Sequence, residues 1–136
     1  MKKSSAVIIV DEDCNVLLHQ RDQNAPINPN RWGLFGGISE RDESSVETAV
    51  RELKEELSIS IDPNDLVYFQ TYKRKKDDQG TETTIFYAVY KDSYKPILGA
   101  EGKGFGFFNH QEIECLRLSP FVKEVLIDFF KNHEKK

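Results

Sequence analysis

The sequence predicts an α+β domain, or a layered α/β/α one, and three features of the chain lead there. Two pairs of β-branched and aromatic stretches, each pair joined by a polar connection, have the pattern of hairpins. One stretch near the middle repeats its apolar residues at helical spacing. A second does so at the C-terminal end, so helices are segregated from strands rather than alternating regularly with them. No internal repeat, low-complexity tract or linker interrupts this order.

Taken in order, residues 4–10 and 15–21 are rich in Val, Ile and Leu and flank a polar turn at 11–14, which predicts a first hairpin. Residues 22–30 hold two prolines and three asparagines and are expected to be a loop bordering any site. A short apolar segment, 32–35, then ends at Gly36 and Gly37. Ser44 and Glu47 have the Ser-x-x-Glu form that satisfies two orphan backbone donors, so a helix should begin at Ser45. Val46, Val50, Leu53 and Leu57 fall on one stripe of that helix. Residues 58–72 and 82–90 predict two strands joined across 73–80, and a further strand is expected at 105–108. Asn109 and Glu112 repeat the capping form, and Ser119 caps a last amphipathic helix carrying Phe121, Val122, Val125, Leu126, Phe129 and Phe130.

The 136 residues suit one domain, residues 1–136, with one core. A hydrophobic fraction of 38%, a charged fraction of 31% and no apolar run near the length of a membrane span describe a soluble globular protein with no membrane partner. Lys2 and Lys3 precede only a short apolar run that stops at Asp11, which reads as a strand and not as a signal peptide. Cys14 and Cys115 have no CxxC spacing or histidine partner, so neither a disulfide framework nor a zinc site is indicated and a cytoplasmic location fits. A net charge of -4 argues against bulk nucleic-acid binding, which needs basic residues to replace counterions.

The chemistry concentrates on the first helix. With Glu52 at zero on a helical wheel, Glu55 falls at roughly -60° and Glu56 at roughly +40°. Three like charges on one arc repel each other by a few tenths of a kcal/mol per pair, roughly, and by more beside a buried face. A cation is therefore expected to neutralise them. Hard oxygen donors favour magnesium, with manganese or calcium as alternatives, and magnesium suits phosphate chemistry. Arg51 stands four residues from both Glu47 and Glu55, placed to orient one carboxylate while others receive metal. By itself a solvated acidic helix face explains such a patch as well.

The surrounding run decides between the two readings. Gly37, Glu43, Arg51, Glu52, Leu53, Glu55, Glu56 and Ile59 resemble the Nudix family pattern: a glycine, five residues, Glu, seven residues, Arg-Glu, an aliphatic, any residue, Glu-Glu, any residue, Gly and an aliphatic. Ser58 replaces the second glycine. The segment from Trp32 to Gly37, the strand ending at Arg21, and Glu101-Gly102 ahead of an aromatic strand also look Nudix-like. This resemblance implies an α/β/α sandwich around a central mixed β-sheet, with residues 37–59 forming a loop, helix and loop that hold magnesium or manganese. It implies metal ligation among Gly36, Gly37, Glu43, Glu52, Glu55 and Glu56, the Gly36 contribution being its carbonyl, and hydrolysis of a diphosphate-linked nucleotide by water. Glu43 has the alternative of an ordinary surface loop acid.

Either Glu52 or Glu101 is the candidate general base, although Glu101 also reads as an exposed loop acid. Arg21 is placed to grip a phosphate or to be a surface arginine, and Trp32 and Phe35 to touch a base or to pack in the core. The charge run 73–76 reads as solvated. Ser58 should adopt a left-handed conformation that glycine adopts more cheaply, so Ser58→Gly is expected to preserve activity and raise stability. The expected partner is a small nucleotide-like diphosphate, with nucleoside triphosphates, oxidised ones of the dGTP type included, ahead of nucleotide sugars, ADP-ribose and dinucleoside polyphosphates. A noncatalytic nucleotide-binding module is the alternative, and isopentenyl diphosphate isomerisation lacks its cysteine motif here. The chain is expected to be a monomer or a homodimer.

Overall fold

Apolar residues run unbroken from Ala6 to Val10, a pattern that suits a strand covered on both faces. In the computed structural model, which describes residues 2–21, 24, 30–74, 80–96 and 102–133, this run lies in the middle of the sheet. Strand β1 is Lys2–Val10 and pairs in parallel with β6, Thr81–Val89, along its whole length. The other pairings between strands of the described residues are antiparallel, so the sheet is mixed. Alternation sends Val7 and Ile9 to one face and Ile8 and Val10 to the other.

The opposite edge of β1 is shared. Strand β2, Val16–Arg21, pairs with it only at Ile9 and Val10 before diverging. The tight turn between them is built on Asp11, whose carboxylate accepts from Asp13 and Asn15, with Cys14 in a left-handed conformation. Into the gap between the diverging strands come two short strands, β3, Trp32–Gly33, on β2 and β4, Phe35–Ile38, on β1. The outer edge of β2 is taken by β7, Gly102–Phe108. The far end of the sheet is β5, Val67–Arg74, beside β6.

Helix α1 spans Ser45–Leu57 and covers one face, burying Ala49, Leu53 and Leu57 with Val7, Ile9 and Phe35. Its start is the expected capping box: the Ser44 hydroxyl accepts from the Glu47 N–H, and the Glu47 carboxylate accepts from the Ser44 N–H. On the other face lie α2, His110–Glu114, and α3, Pro120–His133, whose Val125, Leu126, Phe129 and Phe130 pack on Ile8, Leu18, Tyr72 and Ile85. The architecture is the expected α/β/α sandwich, and no helix among the described residues is long and apolar enough to cross a membrane.

One expectation fails in part. Residues 58–66 are not strand: Asp62 accepts from the Asn64 N–H and Pro63 opens a single 3-10 turn at Pro63–Asp65. Pro63 has no N–H for a ladder. Ile59 and Ile61 are apolar because they fill the core beneath α1, not because they pair with a neighbour.

Candidate active site

The site forms along β4 where it faces away from β1. Gly36 lies opposite Ala6 and Gly37 opposite Ser5, and the Ser39 N–H donates to the Lys3 carbonyl at 2.8 Å. Hydrogen-bonded residues alternate along an antiparallel pair, so Gly37 faces β1 while Gly36 and Ile38 turn their backbone groups outward. Two bonds agree: the Gly36 N–H donates to Glu56 Oε1 at 3.0 Å, and the Ile38 carbonyl accepts from Arg51 Nη2 at 3.1 Å. The Gly36 carbonyl points to the same side as its N–H. Neither glycine is needed for a left-handed φ. A Cβ at Gly36 would meet the Ser5 carbonyl and Ala6, so that position needs a residue without a side chain, whereas one at Gly37 would meet the Glu52 carboxylate and push it aside.

The three helix carboxylates are not equivalent. Glu52 is 13% exposed at its side chain and Glu55 56%. Glu52 and Glu56 hydrogen-bond to each other. Burial, then the Glu52 charge, pushes the Glu56 carboxyl up to about 8, against the opposing hydrogen bond from Gly36. Burial also raises Glu52, opposed by Arg51. Burial thus works against full charge on both carboxyls at once.

Arg51 ties this pair to its surroundings. Its Nε and Nη2 donate to the two oxygens of Glu43 at 2.7 and 3.0 Å, and its Nη1 donates to Glu52 at 3.0 Å and Glu55 at 3.2 Å. Arg51 holds Glu43 at about 2, and the carboxylates push the guanidinium further above its ordinary value. Glu43 also accepts from the Glu40 N–H and from the hydroxyl of buried Thr48, which is bonded in turn to Ser39.

These contacts sort the expected residues. Glu52, Glu56 and Gly36 converge, with Glu55 one turn away toward solvent. Glu43 clamps Arg51: its Oε1 accepts from the Glu40 N–H, the Thr48 hydroxyl and Arg51 Nη2, and its Oε2 accepts from Arg51 Nε. The backbone of Gly37 faces β1, and its missing side chain leaves space for the Glu52 carboxylate. The Arg51–Glu47 pair is not formed, since Glu47 is held in the capping box. Phe35 is fully buried and stacked on His19, which removes it from any base contact, and Trp32 is half-buried, edge-on to Phe108 at 5.0 Å. Arg21 ends β2 on the site's side, its charge felt at both Glu56 and His19. Glu101 lies outside the described residues. Arg74, from the charge run read as solvated, instead stacks 4.1 Å over the Phe121 ring and donates to Thr83.

Sequence reasoning missed Thr48 and His19. Thr48 is a fully buried polar residue beside the apolar stripe, the one local signal that the loop before α1 is pinned from below. His19 donates Nε2–H to the Leu34 carbonyl, and burial keeps it neutral by lowering its pKa. Among the described residues no three His, Cys, Asp or Glu side chains form a ready-made metal cage, because Glu55 is turned onto Arg51. The donors present nevertheless fit a hard divalent cation: two half-buried carboxylates whose burial disfavours their charge, and an outward carbonyl beside them.

The NUDIX domain family model matches residues 1–129. A MutT/nudix family protein from Enterococcus faecalis is 26% identical, with a TM-score of 0.68, over 79% of this chain but 43% of its own. The MutT protein from Methanosarcina mazei Go1 is 22% identical with a TM-score of 0.75, covering 99% of this chain and 96% of its own. A C. elegans Ap4A hydrolase is 18% identical with a TM-score of 0.75, covering 95% of each chain. At the latter two identities the likeness is one of fold. No curated protein matches the chain. The chain belongs to the NUDIX domain family.

Proposed function

We propose that this chain hydrolyses a nucleoside diphosphate linked to a further group, by attack of water on phosphorus, and that nucleoside triphosphates, oxidised ones included, are its substrates. The observation that carries this reading is the half-buried Glu52–Glu56 pair set against the outward backbone of Gly36. Glu52, Glu55, Glu56 and the Gly36 carbonyl would hold magnesium or manganese, which supplies charge neutralisation to the diphosphate and acidifies bound water.

The chain's own residues do the rest. Arg51, clamped by Glu43, fixes the rotamers of Glu52 and Glu55 without meeting substrate. Arg21 reaches the site from β2 as the phosphate grip. The attacking water loses its proton to Glu52 or Glu101.

The test is release of phosphate and pyrophosphate from nucleoside triphosphates, nucleotide sugars, ADP-ribose and dinucleoside polyphosphates, with magnesium and with a chelator. Metal-dependent release from a triphosphate, reduced by roughly 10²-fold or more in Glu56→Gln, is the expected result. Tight nucleotide binding with no turnover on any compound would replace this reading with a binding module.

A further inference from the structure

On the face of the sheet opposite α1, a cavity of about 500 Å³ opens between α2, α3 and the segment joining them. Its floor is apolar: Ile113, Leu126 and Phe130 are buried there, and Leu116 and Leu118 line its side. Its rim is cationic. Arg117 and Lys123 are exposed, and neither side chain has an ion-pair or hydrogen-bond partner among the described residues. His110 stacks on Phe130 with ring centroids 4.6 Å apart, and the one acid at the rim, Glu114, lies 3.9 Å from His110 with its side chain 73% exposed.

We propose that this cavity is a second binding site, separate from the acidic one, for a small aromatic anion: a flat apolar body carrying one carboxylate or phosphate. The volume is that of a small-molecule site, and the combination of apolar floor and a few polar groups at one end is how such sites fix orientation. The apolar body covers Leu126 and Phe130, while the anion meets Arg117 and Lys123 at the rim. The local charge is opposite in sign to that of the whole chain, which is -4, so the rim selects an anion against the protein's overall field.

The cavity is also mechanically connected. The carbonyls of Arg117 and Leu118 accept from the Trp32 N–H and from Arg31 Nη1, both at 2.9 Å. Trp32 begins β3, which leads through Leu34 into β4 and Gly36. A ligand against Leu118 therefore sits one hydrogen bond from Arg31, the residue that precedes β3.

The proposal goes beyond the hydrolytic reading, and its test does not depend on turnover. Full-length protein labelled with 15N is titrated with naphthalene-2-carboxylate and with phenyl phosphate, followed by amide shifts. Saturable shifts concentrated in residues 110–130 are expected. The double charge reversal Arg117→Glu with Lys123→Glu, and separately the neutral naphthalene-2-carboxamide, should each weaken binding by roughly tenfold or more, since each removes at least one charged hydrogen bond. The amide spectrum of the double variant away from residues 110–130 should match that of the parent, which shows that it folds. No saturable shift with either probe, shifts confined to α1 and β4, or equal affinity for the neutral amide would each overturn it.

Discussion

Glu56 is held against the Gly36 N–H and against a second carboxylate, so in the absence of metal it keeps its proton up to about pH 8. An unfolded glutamate releases that proton near 4.5. Between these values the folded chain binds more protons than the unfolded one, so stability falls as pH rises through that window. Glu43 has the opposite sign: its pKa is depressed to about 2 by Arg51, and its contribution is lost as pH falls from 4.5 toward 2. Thermal melts in a chelator should therefore lose stability progressively from pH 5 to 9, and Glu56→Gln should flatten that slope. A parent slope that survives unchanged in Glu56→Gln would show that Glu56 does not titrate in this window. A second prediction concerns Ser58, which follows α1 in a left-handed conformation with φ 59°. A side chain there costs roughly 1 kcal/mol relative to glycine, so Ser58→Gly should raise the denaturant midpoint and leave turnover unchanged. A large loss of turnover would mean that the serine hydroxyl has a role in the chemistry.

The loop–helix unit around α1 joins an electrostatic clamp to a shape constraint. Glu43 receives Arg51 bidentately and Arg51 then orders Glu52 and Glu55, so loosening the clamp should misplace the carboxylates without unfolding the helix, whose capping box and apolar stripe lie elsewhere. Arg51→Lys, which cannot form the planar fork, should lower turnover by roughly 10 to 100-fold with a melting temperature within a few degrees of the parent. Gly37→Ala should do comparable damage from the other side by driving Glu52 off its position. A fully active Gly37→Ala would show that Glu52 has room to move. This unit is also the part most legible in the sequence, because caps, apolar periodicity and the spacing of Gly37, Glu43, Arg51, Glu52 and Glu56 are all local. What was not legible there is which carboxylate faces which partner. The i, i+4 rule offered Glu47 to Arg51, whereas the loop brings in Glu43 from outside the helix, and Glu47 was already committed to the cap.

At the scale of the molecule, the helices and most strands were readable but their assembly was not, since it depends on contacts between distant segments. Parallel pairing of β1 with β6 joins residues as far apart as Ser4 and Thr83, and the wedge of β3 and β4 between diverging strands has no local signature. That assembly places two apolar clusters on opposite faces of one sheet, the first beneath α1 and the acidic site, the second beneath α3. Changes on the two faces share no partner and should therefore add. Magnesium at about 100 times its dissociation constant should stabilise the fold by about 2.7 kcal/mol, a rise in melting temperature of roughly 9 °C. Leu126→Ala, in the second cluster, should lower stability by roughly 2–5 kcal/mol through the cavity it leaves. Because Leu126 lies across the sheet from Glu56, the destabilised variant should still gain the full magnesium increment, whereas Glu56→Gln should lose most of it while melting near the parent's metal-free temperature. Melts of the three proteins with magnesium and with chelator decide the matter. An increment lost in Leu126→Ala would show that the sheet couples its two faces, and an increment kept in Glu56→Gln would place the metal away from the Glu52–Glu56 pair.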